Sequence, residues 1–156
     1  MADLDDLLIE AMNKELEAKN FYNKAASKAQ SKAGKNLFKE LASFEQNHYN
    51  KVKKIIESRN KDIDITVNSE AQDILSIKSE VEGEFEPNKD EIATVINLAI
   101  DAEIKAQERY NKIAKLMNDS EGKKIFQNLA QDERNHQRIL EDEFYHLSNK
   151  GTIIWE

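Results

Sequence analysis

The stretches ASFEQNH (residues 42–48) and AQDERNH (residues 130–136) decide the fold of this chain. Each holds a Glu-x-x-His pair, Glu45 with His48 and Glu133 with His136. The pairs lie 88 residues apart (133−45 and 136−48), and the same offset links Glu15 to Glu103 and Tyr22 to Tyr110 without a gap. Laid on each other, residues 11–48 and 99–136 agree at 15 of 38 positions, so one structural unit occurs twice. Residues three apart on a helix share a side. Each pair therefore aims a carboxylate and an imidazole the same way.

The surroundings of both pairs have helical period. Leu4, Leu8, Ala11, Glu15, Ala18, Tyr22 and Ala25 form one stripe in steps of four and three, predicting a helix from about 3 to 29. Phe38, Leu41, Glu45, His48, Val52 and Ile55 form a second over about 33–59. A third begins near Pro87-Asn88, with Asn88 as expected N-cap and Glu91 as its capping-box partner, and runs through Ile92, Ile96, Ala99, Glu103, Ala106, Tyr110 and Ile113. A fourth begins near Asp119-Ser120 and carries Phe126, Leu129, Glu133, His136 and Leu140. The expectation is a single all-α domain over 1–156, a four-helix bundle of two antiparallel hairpins. Hairpin 1 covers about 3–59, a long crossover about 60–88, and hairpin 2 about 89–148. A 29-residue connection is long for a compact domain, but it suits a chain that must travel the length of the bundle.

Composition narrows the function. The chain of 156 residues has a net charge of −7, and such an acidic surface repels phosphate backbones, so no nucleic-acid partner is expected. It has no cysteine, which removes disulfides and thiolate-held iron–sulfur sites from these residues. The N-terminus is acidic and amphipathic rather than signal-like, and no stretch is apolar enough for a membrane span. A soluble cytoplasmic protein is the expectation.

The ionisable residues stand in the apolar stripes, where leucine would be expected. Burying a carboxylate costs several kcal/mol unless something pairs with it, and no Lys or Arg shares these stripe positions. A bound cation is the simplest compensator. Glu15 lies 16 residues before the first hairpin turn near Ser31 and Glu45 lies 14 after it, and Glu103 and Glu133 flank Asp119 in the same way. At about 1.5 Å per residue, the members of each pair sit within roughly 3 Å of one height. Glu15, Glu45, His48, Glu103, Glu133 and His136 are thus candidate ligands for two ions, four carboxylates balancing two divalent charges. Carboxylate and imidazole without thiolate suit iron or manganese.

These motifs, with EAMNKELEAKNFY (10–22) and NLAIDAEIKAQERY (97–110), resemble the ferritin-like di-iron carboxylate superfamily, in particular the rubrerythrin di-iron domain without its rubredoxin domain. The resemblance covers both hairpins. It implies a ferritin-like bundle holding two iron ions, with Fe/Mn or Mn/Mn as variants on the same residues. It implies that Glu45 and Glu133 bridge, that Glu15 and Glu103 are terminal ligands, and that His48 and His136 each bind one ion. Tyr22 and Tyr110 would hydrogen-bond ligand carboxylates and assist electron transfer. The implied activity is a non-haem di-iron oxidoreductase, a peroxidase or oxidase reducing hydrogen peroxide or dioxygen in oxidative-stress defence. Its electrons would come from an external donor such as a rubredoxin-type protein. The alternative is a ferroxidase or iron-storage protein of the bacterioferritin type, and a third reading is a scaffold with an idle site. Typical rubrerythrins carry a further glutamate one turn after the third-helix ligand, where this chain has Ala106.

Four other features carry expectations. Phe21, Phe44 and Tyr49 face Arg109, Asp132 and Gln137 in the repeat, an asymmetry read as a homodimer patch. The acidic run Glu80–Glu86 reads as solvated loop, and His146, without a repeat mate, as a surface residue. The terminal TIIWE is expected to pack on the end of the bundle.

Overall fold

The computed structural model describes residues 4–61 and 83–155. The extended stretch expected around Ile63–Val67 and the short helix expected at Ala71–Ile77 lie outside the described residues.

Four helices form as the stripes require: α1 (Leu4–Lys28), α2 (Lys32–Lys61), α3 (Lys89–Leu116) and α4 (Ser120–Lys150). α1 packs along α2 and α3 along α4 as antiparallel hairpins, and the hairpins meet through α1 and α3. This is the all-α, ferritin-like four-helix bundle. Among the described residues no helix is long and apolar enough to cross a membrane.

The repeat recurs in the turns. The Ser31 hydroxyl accepts from the Gly34 N–H at 2.9 Å, and the Asp119 carboxylate accepts from the Gly122 N–H at 2.8 Å. Each cap satisfies a donor that the first helical turn leaves open. A Cβ at Gly122 would lie 2.2 Å from Met117 Cε and 2.8 Å from an Asp119 carboxylate oxygen, so a larger residue there would have to displace both side chains.

Two apolar clusters fill the bundle, one at each end. One joins Tyr22, Phe38, Leu41, Ile92, Ile96, Leu140 and Trp155, and the other joins Leu8, Val52, Ile55, Tyr110, Ile113 and Phe126. Each fully buried large side chain contributes roughly 1.5–3 kcal/mol. Between the clusters lies the layer of ionisable side chains.

The acidic run departs from expectation. Glu86 is fully buried. Its carboxylate accepts from the backbone N–H groups of Gln30 (3.0 Å), Ser31 (3.1 Å) and Asn88 (3.1 Å) and from the Ser31 hydroxyl (2.9 Å). Glu84 accepts from the N–H groups of Lys32 and Ala33. Two carboxylates thus sit at the positive N-terminus of α2, which itself has no acidic residue in its first turn. Asn88 occupies the N-cap position of α3 but makes no cap bond. Its amide instead donates to the Lys28 carbonyl and to Glu91, tying the start of hairpin 2 to the turn of hairpin 1.

The terminal residues pack on the end of the bundle. β2 (Thr152–Ile153) pairs antiparallel with β1 (Glu84–Phe85), and Gly151 makes the turn from α4 with φ 70°, a conformation that glycine adopts without strain. Ile153, Ile154 and Trp155 are buried, and the Trp155 indole N–H donates to Glu40.

Candidate metal centre

All six candidate ligands converge in the layer between the two apolar clusters. Glu15, Glu45, His48 and Glu133 form one group, and Glu45, Glu103, Glu133 and His136 form the other, with the ligand atoms of each group within 4.8 Å of one another. Glu45 and Glu133 belong to both groups. The six side chains are at most 2 % exposed, so water does not solvate their charge.

The inner faces of the two halves match. His48 Nδ1 lies 3.1 Å from Glu133, 3.5 Å from Glu45 and 3.6 Å from Glu15. His136 Nδ1 lies 3.4 Å from Glu133, 3.4 Å from Glu45 and 3.6 Å from Glu103. The imidazole rings stack nearly parallel, their centroids 6.0 Å apart.

The fit to metal rests on atoms without partners. Glu15 Oε2, Glu45 Oε1, His48 Nδ1, Glu103 Oε2, Glu133 Oε1 and His136 Nδ1 are buried, point at one another and have no hydrogen-bond partner. The close nitrogen–oxygen distances lack hydrogen-bond geometry. Orphaned buried acceptors are costly, and one from each of six residues around a common centre is the arrangement a cation completes. Four oxygens and two nitrogens suit two divalent ions of the iron and manganese type.

Burial also redistributes protons. Burial first, then Glu133 and Glu15, hold the Glu45 carboxyl well above the usual range. Burial and Glu133 push Glu103 up to about 8. Burial opposes charge on His48, but Glu133 and Glu15 outweigh it and raise the imidazole well above its ordinary value. Glu103 does the same for His136. Burial also opposes charge on Glu133, yet the two imidazoles win and hold it well below the usual carboxylate range. The site without metal therefore stores protons on Glu45, Glu103, His48 and His136.

The tyrosines cross between the hairpins. Tyr22 of α1 donates to Glu103 of α3 at 2.5 Å, and Tyr110 of α3 donates to Glu15 of α1. Burial first, then Glu103 for Tyr22 and Glu15 for Tyr110, keep both phenols protonated as donors. Each occupies one carboxylate oxygen and leaves the other aimed at the centre.

A cavity of about 370 Å³ opens between α1 and α3 and reaches Glu15, Glu45, Glu103 and Glu133. Ala18, Ala102 and Ala106 line it, with Phe21 and Leu98 as apolar walls and Lys14, Lys105 and Arg109 among its charged lining. Ala106 stands where the resemblance leads one to look for a carboxylate, and it widens this approach instead.

The residues read as a homodimer patch, Phe21, Phe44 and Tyr49, are each partly exposed. Phe21 packs on the core and lines the cavity, and Phe44 meets the His136 ring edge-on at 5.2 Å. The repeat mate of Phe44 is Asp132, which is buried and whose carboxylate accepts from His48 Nε2 at 3.1 Å. The motif reading passed over Asp132. Its signal was the mismatch with Phe44, one helical turn before His136 and beside Glu133. His146 is partly buried and lies 3.8 Å from Asp142, away from the centre.

The fold and this six-residue layer define a helical-bundle protein with a buried Glu/His site for a dinuclear metal centre. Comparison with known families bears the same way. The Rubrerythrin family model matches residues 6–144, and the chain belongs to that family. It is also similar to a solved structure, a hypothetical protein from Pyrococcus furiosus, with 27% identity, a TM-score of 0.73, and 94% of this chain and 91% of that one covered. No curated protein matches significantly.

Proposed function

We propose that this chain is a rubrerythrin-like non-haem di-iron oxidoreductase that reduces hydrogen peroxide or dioxygen with electrons from an external donor. The observation that carries the reading is the ring of six unpartnered buried ligand atoms at the inner end of an open cavity. Glu15, Glu45 and His48 with Glu103, Glu133 and His136 would hold the ions, Glu45 and Glu133 standing between the two groups. Two iron ions would supply the redox chemistry that side chains lack. The chain's own part is electrostatic and steric. Four carboxylates neutralise two divalent charges in a dry layer, and Tyr22 and Tyr110 hold Glu103 and Glu15 in place. The alanines of the cavity wall leave room for a small oxidant beside the ligands.

These residues include no cysteine, so a thiolate-held electron carrier would lie outside them, a rubredoxin-type donor being the natural chemistry. A cytoplasmic setting fits this dependence. A homodimer is the proposed assembly. Ile9, Leu16 and Ile104 leave apolar surface on α1 and α3 that a second copy would cover.

Anaerobic ferrous titration followed by peroxide and by dioxygen tests the reading. Two irons bound per chain and fast oxidation by peroxide are expected. Saturation at zero or one iron would sink the dinuclear assignment. The alternative, ferroxidase and storage activity of the bacterioferritin type, rests on the six-residue set without a glutamate at Ala106. A shell of many subunits that retains ferric iron would favour it, whereas a dimer with peroxide turnover favours the enzyme.

A further inference from the structure

We propose that Asp132 makes the two half-sites unequal, so that the half-site built on His48 takes its metal ion first and holds it more tightly than the half-site built on His136. This rests on the dinuclear reading above. The inner faces cannot cause a difference, because both Nδ1 atoms meet three carboxylates at 3.1–3.6 Å. The outer faces can. A histidine that binds through Nδ1 must carry its proton on Nε2, and the ring must not swing. A carboxylate 3.1 Å from His48 Nε2 accepts only, so it selects that tautomer, fixes the ring and makes Nδ1 a stronger donor to metal.

Among the described residues, no carboxylate plays that part for His136. Position 44 is the repeat mate of position 132, and Phe44 lies edge-on to His136 at an interplanar angle of 86°. A hydrocarbon ring neither accepts a proton from Nε2 nor raises the basicity of Nδ1. Among the described residues, the carboxylates near His136 are Glu45, Glu103 and Glu133, all on its inner side. The pseudo-twofold symmetry that governs the ligands and both tyrosines fails at this pair, in direct contact with the metal-binding rings. Asp132 acts through His48 and is a positioning residue.

The test uses single half-sites. H136A keeps the Asp132-supported half and H48A keeps the Phe44-facing half. Each is titrated anaerobically with cobalt(II), followed by visible absorption and calorimetry, with circular dichroism confirming helix content. H136A should bind one ion roughly 10–100-fold more tightly than H48A, the range typical of outer partners of metal-bound histidine. D132N should remove most of that advantage in the H136A background and change affinity little in the H48A background. In the unsubstituted chain, substoichiometric cobalt(II) should shift the His48 ring resonances before those of His136, a readout that does not depend on the variants folding. Equal affinities of the two halves, equal weakening of both by D132N, or earlier loading at His136 would each overturn the proposal and leave the dinuclear reading standing. Failure of the unsubstituted chain to bind cobalt(II) or ferrous iron would overturn both.

Discussion

Glu143 offers a measurable consequence of the packed C-terminal segment. Its carboxylate lies buried beneath residues 152–155, accepts from the Ile154 N–H at 2.9 Å through one oxygen, and has no partner on the other. Burial, with Asp142 adding to it, pushes the carboxyl up to about 7 from an ordinary value of 4.5. A raised value in the folded chain means the folded state holds the proton more tightly. The contribution to stability is therefore complete below pH 4.5, declines as the unfolded chain ionises, and is gone once the pH passes 7. The interval is 2.5 pH units (7−4.5). At about 1.36 kcal/mol per unit it amounts to about 3 kcal/mol. Glu143→Gln cannot ionise and retains a carbonyl for Ile154. Urea unfolding of both proteins without metal, at several pH values from 4.5 to 8, isolates the term, because the dinuclear site titrates identically in each. The variant should gain about 3 kcal/mol on the parent across that range. A constant offset of about 1–3 kcal/mol from the new amide N–H would be independent of pH. A stability difference that does not change with pH would refute the reasoning.

Other expectations follow from the centre and the turn. Metal affinity should rise with pH through the neutral range, with protons released on binding, because Glu45, Glu103, His48 and His136 all have raised values without metal; calorimetry in buffers of different ionisation enthalpy reads the release, and a pH-independent affinity would contradict it. The tyrosine exchange predicts crossed effects: Tyr110→Phe frees Glu15 and should weaken the His48 half-site, while Tyr22→Phe frees Glu103 and should weaken the His136 half-site, each roughly tenfold in single-half-site titrations. Excess metal at about 100 times its dissociation constant should stabilise the fold by about 2.7 kcal/mol, and Glu45→Ala or Glu133→Ala should abolish the accompanying rise in Tm; an undiminished rise would place the metal elsewhere. Glu86→Ala should cost about 3 kcal/mol or more in thermal unfolding, since three backbone N–H groups lose their acceptor; a loss under about 1 kcal/mol would mean water replaces the carboxylate.

The helices and the ligand layer were legible because a single physical conflict marks them. Charged residues at Glu15, Glu45, Glu103 and Glu133 interrupt apolar stripes of otherwise regular period, and the repeat puts all four at one height. Contacts between distant segments left no such mark. Glu84 and Glu86 sit in an acidic run whose composition suits solvent, and only the meeting of the crossover with the first hairpin turn reveals them as caps for α2. Asn88 is a good N-cap by residue type, yet the carbonyl of Lys28 competes for its amide. Phe44 and Asp132 were visible as a mismatch in the repeat. The mismatch could be assigned to an outer surface or an inner face only by knowing which residues the opposite hairpin presents.

The crossed geometry has a consequence for how such a centre can change over generations. Each half draws ligands from both hairpins, so two identical copies of one hairpin, associating about a true twofold axis, would also bring such ligands together. In that assembly every substitution appears twice, and a phenylalanine at one histidine forces a phenylalanine at the other. Covalent joining of the copies lifts that constraint. Position 44 and position 132 become separate genetic loci, free to diverge while the ligands stay matched. The connection between the hairpins does more than link them. It lets a symmetric scaffold acquire a direction, with one metal position distinguishable from the other.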